Sequence, residues 1–400
     1  MKRLFVPVPT LLIVMFFISR VFLLMGLPVE GIRTYGDLPH FYHLASLPGF
    51  PFKEYWVEYP PILPLVLKAV FTLSGGREHV FDVLFAFLMT LFQVGNLVLF
   101  NRIADRLWDK DEALPRMLVY GVILLGLAYG WRYAEPLVVF SLLLALWFTL
   151  RGEDGWAGLS LIAGTLLKWF PVVALIVVWR ERTVKQALKL TTIVLLCVAV
   201  VWLGLYCLSP QMTLASLVSQ FSKGSWETVW ALIDGNFRTG VFSPVSERFD
   251  PANAFQTYGN PPVVSPWLTL LAFGNLGLWL FVKAKQRGAY QAVGFLGLTL
   301  SLFFLWSPGW SPQWVLYLIP LILLVLPWPR AFLLTVLFVL VNLLEWPLLL
   351  SRGLFGSLWL TILLRTLLFV LAAWLFWGQI SQRGRGSAQE GFPCESSGAC

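Results

Sequence analysis

Apolar runs long enough to cross a bilayer alternate along this chain with short basic or proline-rich breaks, and that alternation predicts most of its architecture. The runs place spans at about 6–28, 80–100, 115–131, 136–150, 186–208, 263–282, 289–306, 314–328, 331–350 and 355–377. Two further segments fit the pattern less simply. Residues 62–74 are too short to cross and read as a helix lying at the outer interface. Residues 156–179 are long enough for one span, yet both ends are charged like cytoplasmic loops, and Lys168-Trp-Phe-Pro171 interrupts the middle. A broken hairpin of two short helices resolves that conflict. The expectation is an all-α polytopic protein of about 10–12 membrane helices with interfacial helices on its outer face. Residues 1–377 form one transmembrane domain, and 378–400 form a flexible cytoplasmic tail.

Composition agrees with the pattern. The chain is 58% hydrophobic and 12% charged, about half the charge of a soluble domain, with a mean hydropathy of +0.76. The first run is too long and too poorly bounded for a cleaved signal peptide and reads as a retained span. The net charge of +8 fits basic cytoplasmic loops and forms no nucleic-acid stripe. The four cysteines have no zinc spacing and imply no disulfide framework.

Lys and Arg fix the expected orientation. With both termini cytoplasmic, the basic loops (Lys2-Arg3, Arg102–Arg116, Arg180–Lys189, Lys283–Arg287, Arg330, Arg383–Arg385) fall inside. Residues 29–79 and 209–262 then share the outer face with the turns at Arg132, 307–313 and 351–353. A site is expected there, on the extracytoplasmic side of a cell membrane.

The first outer loop holds the richest chemistry. Asp37 can act as a general base toward a sugar hydroxyl, against the plainer reading of an N-cap of a short helix. Glu58, in Glu-Tyr-Pro-Pro, suits a helix entry and can also position substrate. His40, His43 and His79 all lie in this loop, without a paired Asp-x-Asp, so a bound divalent metal is the disfavoured reading. Charges at membrane depth need a reason. Arg132 and Lys168, near the outer end, are candidates for a phosphate, against the plainer reading that they pair with acids or snorkel. Arg20, Glu345 and Arg365 are the other unusual charges, and Arg365 finds no role in the pattern. The turn Trp306–Trp314 is an aromatic belt or, with Trp310, a sugar platform. Trp226, Asp250, Tyr258 and Asn260-Pro-Pro262 belong to a second loop that could cover an acceptor.

The segments Tyr35-Gly-Asp37, Glu58-Tyr-Pro-Pro61, Leu167-Lys-Trp-Phe-Pro171 and Ser311-Pro-Gln-Trp314 occur in that order on one face. In this the chain resembles the GT-C glycosyltransferases, and within them the prokaryotic polyprenyl-phosphate-mannose-dependent mannosyltransferases. The resemblance implies Asp37 as general base, a polyprenyl-phosphate-linked sugar as donor, inversion at the anomeric carbon, and a lipid or glycan acceptor. It places Glu135 where the family carries an acid before the fourth span, often an Asp. With the bottom-up candidates, the substrate-binding set becomes Tyr35, His40, Glu58, Tyr59, Arg132, Glu135, Lys168, Trp310 and Gln313, with no metal and no cofactor. The rival reading is a transporter or flippase of lipid-linked sugars, which would line a path through both leaflets with charge.

Overall fold

The computed structural model describes residues 7–381 except 34, 35, 128, 239, 241 and 242. It is helical throughout, with no strand among the described residues beyond isolated bridges. Among the described residues, seven helices are long and apolar enough to cross a bilayer: Val8–Gly26, Glu78–Leu107, Val184–Leu208, Pro266–Lys283, Ala289–Trp306, Trp328–Leu349 and Phe355–Ser381. This is a multi-pass membrane architecture. The remaining predicted spans are shorter helices, Lys110–Gly126, Glu135–Arg151 and Val315–Val325.

Burial sorts these helices into layers. Every residue of Val315–Val325 is buried, and Ala289–Trp306 and Glu135–Arg151 are mostly so, which makes them the centre of the bundle. Val8–Gly26, Val184–Leu208 and Pro266–Lys283 turn exposed Leu, Val, Phe and Trp outward, as lipid-facing helices do. Helix ends follow local sequence. Thr183 and Gln186 close a capping box on Val184–Leu208, and Gly152 takes the left-handed conformation (φ 83°) that ends Glu135–Arg151.

Residues 156–179 fold as the broken hairpin. Helix Asp154–Leu167 stops where Lys168 becomes extended, a short 3-10 turn covers Phe170–Ala174, and helix Leu175–Glu181 returns. The return is closed by Arg182, whose Nε donates to Asp154 Oδ1 at 2.7 Å and whose Nη2 donates to the Thr149 carbonyl at 2.6 Å. Residues 62–74 form the expected short helix, Ile62–Leu73. The last helix continues to Ser381, past the start of the expected tail, and Arg383, Arg385, Cys394 and Cys400 lie outside the described residues.

The chain breaks around Tyr133 and at 168–174 and 307–314 gather at one end of the bundle with the two long loops. Buried polar side chains hold one of these breaks open. Gln93 Nε2 donates to the Gly130 carbonyl at 2.5 Å, satisfying backbone that the interrupted helix leaves unpaired, and Asn96 Nδ2 donates to the Pro136 carbonyl at 2.9 Å in the first turn of the next helix.

Candidate active site

A cavity of about 1720 Å³ opens at this end, walled by both long loops and by the breaks at Lys168, Trp306–Trp314 and Trp346. Its polar floor carries Asp37, His40, Glu58, Tyr59, Lys168, Lys223 and Arg248.

Asp37 occupies the N-cap position of helix Leu38–Ser46, as one reading of the sequence had it. Its side chain makes no capping hydrogen bond and faces the cavity instead. The preceding Gly36 explains how it gets there: at φ 109° a Cβ would lie 2.9 Å from Arg132 Cβ and 2.9 Å from the Tyr133 ring, so only glycine lets the loop press against that turn. Burial raises the Asp37 carboxyl to about 6; His40, Lys168 and Lys223 pull it down, and Glu135 pushes it further up.

Glu58 is buried and fully engaged. One carboxylate oxygen lies 2.5 Å from His40 Nε2 and the other 2.6 Å from Arg248 Nη1, while Gln220 donates to its carbonyl. Burial alone would raise it, but Arg248 and His40 hold it far below the usual carboxylate range. Burial also opposes charge on His40, and Glu58 outweighs it, so the imidazole stays above its ordinary value. Arg248 is fixed in turn by the Trp56 ring, 3.9 Å away, and by the Ser243 carbonyl at 3.3 Å.

Lys168 lines the cavity and is paired with Glu135 directly behind it. Arg132 sits outside the cavity lining: its guanidinium donates to the Ile32 carbonyl at 2.8 Å and the Gly31 carbonyl at 2.6 Å, clamping the entry to the first loop. Trp310 also lies behind the wall, 1% exposed, packed on Phe304, Trp314 and Phe369. Its neighbours Trp306, Gln313 and Trp314 line the cavity in its place, with Trp226 packed against the same turn through a backbone bridge to Gly309. Tyr59 lines the floor against Phe41, and burial keeps its phenol well above the ordinary value. Tyr35 lies outside the described residues. His43 and His79 are exposed, and among the described residues no three His, Cys, Asp or Glu side chains converge to hold a metal ion.

Two cations on the floor had no signal in the sequence. Lys223 and Arg248 sit in the second loop among ordinary polar residues. Burial lowers Lys223 to about 8 against the pull of Glu58 and Asp37, and its Nζ stands 4.6 Å from the centre of the Trp226 ring. Of the other second-loop candidates, Asn260, Pro261 and Pro262 line the cavity, whereas Asp250 and Tyr258 lie outside its lining. Asp250 caps Ala252 N at 2.9 Å and receives Trp56 Nε1 on its carbonyl, and Tyr258 bonds Gln256.

Above the floor the wall becomes apolar, with Trp169, Phe221, Trp267, Leu270, Phe303 and Trp306. Trp169 stacks on Trp202 and Phe221 on Trp267, joining the cavity to the outward faces of Val184–Leu208 and Pro266–Lys283. Arg20 and Arg365 are accounted for elsewhere. Arg20 donates to the Leu124 carbonyl over the Trp131 ring, and Arg365 pairs with Glu345.

No protein-family model matches the chain, and no curated protein matches it in sequence. Among solved structures it is similar to an oligosaccharyltransferase of Archaeoglobus fulgidus, at 13% identity and a TM-score of 0.40, over 93% of this chain. The chain spans about half the length of that protein, 53%.

Proposed function

We propose that this protein is a GT-C-type membrane glycosyltransferase that moves a hexose, mannose in our reading, from a polyprenyl phosphate to an outer-leaflet lipid or glycan, with inversion. The observation that carries the reading is Asp37: a carboxylate at a helix start that caps nothing, faces a large cavity, and is poised near 6 beside Lys168 and Lys223. A base of that kind accepts the acceptor's hydroxyl proton while the cations neutralise the departing phosphate.

Three features support it. The cavity exceeds the roughly 300–1,000 Å³ of single small-ligand sites, which suits a donor and an acceptor held together. Its apolar upper wall meets lipid-facing helices, which suits a substrate with a hydrocarbon tail. The other acids at the cavity or directly behind it are engaged: Glu58 by Arg248 and His40, Glu135 by Lys168, Asp234 by Ser225 Oγ and Val263 N, and Glu227 by Glu345. That pattern favours one base over the paired carboxylates of a glycoside hydrolase.

Glu58 and Glu135 then act on substrate through the cations they orient. A transporter would line its route through the bundle, whereas the cavity wall comes from one end and the central helix Val315–Val325 is solidly packed. The test is transfer of label from radiolabelled polyprenyl-phosphate-mannose to membrane lipid extract, wild type against Asp37→Asn. Transfer lost in the variant is expected. Transfer surviving undiminished moves the base away from Asp37, and lipid flipping without any transfer overturns the enzyme reading.

A further inference from the structure

The floor contains an arrangement that a single base does not require. Arg248 fixes one oxygen of Glu58 at 2.6 Å, and the other oxygen lies 2.5 Å from His40 Nε2. His40 stands one helical turn after Asp37 on helix Leu38–Ser46, and both side chains line the cavity. The line Arg248–Glu58–His40 thus runs from the second long loop to the residue beside the candidate base.

We propose that His40 is a positioning residue, held as an imidazolium by Glu58, whose charge keeps the Asp37 carboxylate ionised at neutral pH. The inference rests on Asp37 being the base of the site, but it concerns charge alone and is measurable without substrate. Every packed element contributes a group to the balance. Tyr59 and Tyr133 face Asp37, Glu135 adds an anion, and Lys168 and Lys223 add cations; Asp37, Glu58 and Arg248 face His40. Glu135 and Lys168 are already committed to each other. His40 and Glu58 are committed as well, but there the cation is the partner nearer Asp37 in sequence and the anion is tied off by Arg248. The net influence of that line on Asp37 is therefore positive.

A hydrophobic carbodiimide adds to protonated carboxyls and reads the state of Asp37 directly. Full-length protein in detergent is labelled between pH 5 and 8, and the Asp37 peptide is quantified by mass spectrometry. Wild type should show a labelling midpoint near 6. His40→Gln should raise it by about one pH unit, the lower end of what an adjacent opposite charge does. Glu58→Gln should raise it too, because an imidazole without its anion loses its proton. By direct Coulomb influence, losing an anion would lower the midpoint, so the two mechanisms differ in sign. Lys223, with its value near 8, stays cationic around the midpoint and does not confuse the comparison. His40→Lys, a fixed cation, should restore the wild-type midpoint or lower it.

Equal labelling at pH 5 shows that each variant has formed the site. If His40→Gln loses that plateau, Glu58→Gln and His40→Lys decide the matter. Midpoints unmoved, Glu58→Gln shifting downward, or Asp37 never labelled would each overturn the inference. If the midpoints move as stated but no sugar is transferred, the pairing stands and the glycosyltransferase reading fails. If transfer occurs and the midpoints stay put, the reverse holds.

Discussion

Arg365 had no role in the hydropathy pattern, and its surroundings make it the sharpest test of how this bundle holds together. It is 2% exposed in helix Leu358–Ser381, and one guanidinium nitrogen pairs with Glu345 Oε2. A second nitrogen donates to the Glu227 carbonyl, and the group lies 4.9 Å from the Trp310 ring centre. Glu227, at a left-handed φ of 53°, lines the cavity and reaches back with its own carboxyl to Glu345. One guanidinium therefore ties the kink after Trp328–Leu343, the last helix and the cavity wall. In Arg365→Met the Glu345 carboxylate, 0% exposed, stays buried without its cation. Removing one partner of such a pair costs about 3–5 kcal/mol. Replacing both charges removes most of that penalty, since the desolvation cost disappears with the attraction. Arg365→Met/Glu345→Gln keeps an amide that can still donate to Glu227, and should lie within about 1–2 kcal/mol of wild type. Unfolding by dodecyl sulfate in mixed micelles, followed by tryptophan fluorescence, measures both. A double variant as unstable as the single one would refute the reasoning, because the loss would then come from packing rather than from a stranded charge.

The remaining predictions concern the cavity and one helix end. Asp37 works as a base only when ionised, so with its carboxyl near 6 the transfer rate should fall roughly eight- to tenfold between pH 7 and pH 5; a flat profile there would sink the assignment. Lys223 carries charge below about 8 and loses it above, so Lys223→Met should raise the KM for the donor severalfold and abolish any decline in activity above that pH. Gly309→Ala would set a Cβ 2.2 Å from the Trp226 ring, displacing that ring from the cavity wall; activity should drop at least tenfold while the unfolding midpoint in detergent changes little. Thr183→Ala removes the capping box of Val184–Leu208 and should cost about 1 kcal/mol in the same micelle titration, with no effect on turnover.

The location of the site matters for its chemistry. Polar groups sit at one end of a bundle whose centre is close-packed, under a wall of indole and phenyl rings. Burial at the floor raises Asp37, and the surrounding protein strengthens the pull of its neighbouring cations on it. Trp169, Phe221 and Trp267 place the apolar part of that wall beside lipid-facing helices, the side from which the proposed lipid-borne donor would approach.

What the sequence determined by itself was whatever depends on neighbours along the chain. Helix positions follow from apolar runs, and the broken hairpin follows from charges at both ends of 156–179 with Lys168 and Pro171 between them. The gathering of 29–79, 209–262 and the short turns at one end follows from counting passes, and it placed Asp37, His40, Glu58, Tyr59, Lys168 and Gln313 in one cavity. Only the tertiary structure decided which charges are spent and which are available. Glu58 meets Arg248 from 190 positions away, Arg132 is taken up by carbonyls 100 and 101 positions earlier, and Trp310 turns behind the wall while Trp306 and Trp314 face it. Burial against lipid is a property of a segment and is written in its periodicity. An ion pair is a property of two segments, and its partner is fixed only when packing brings the second one within a few ångströms.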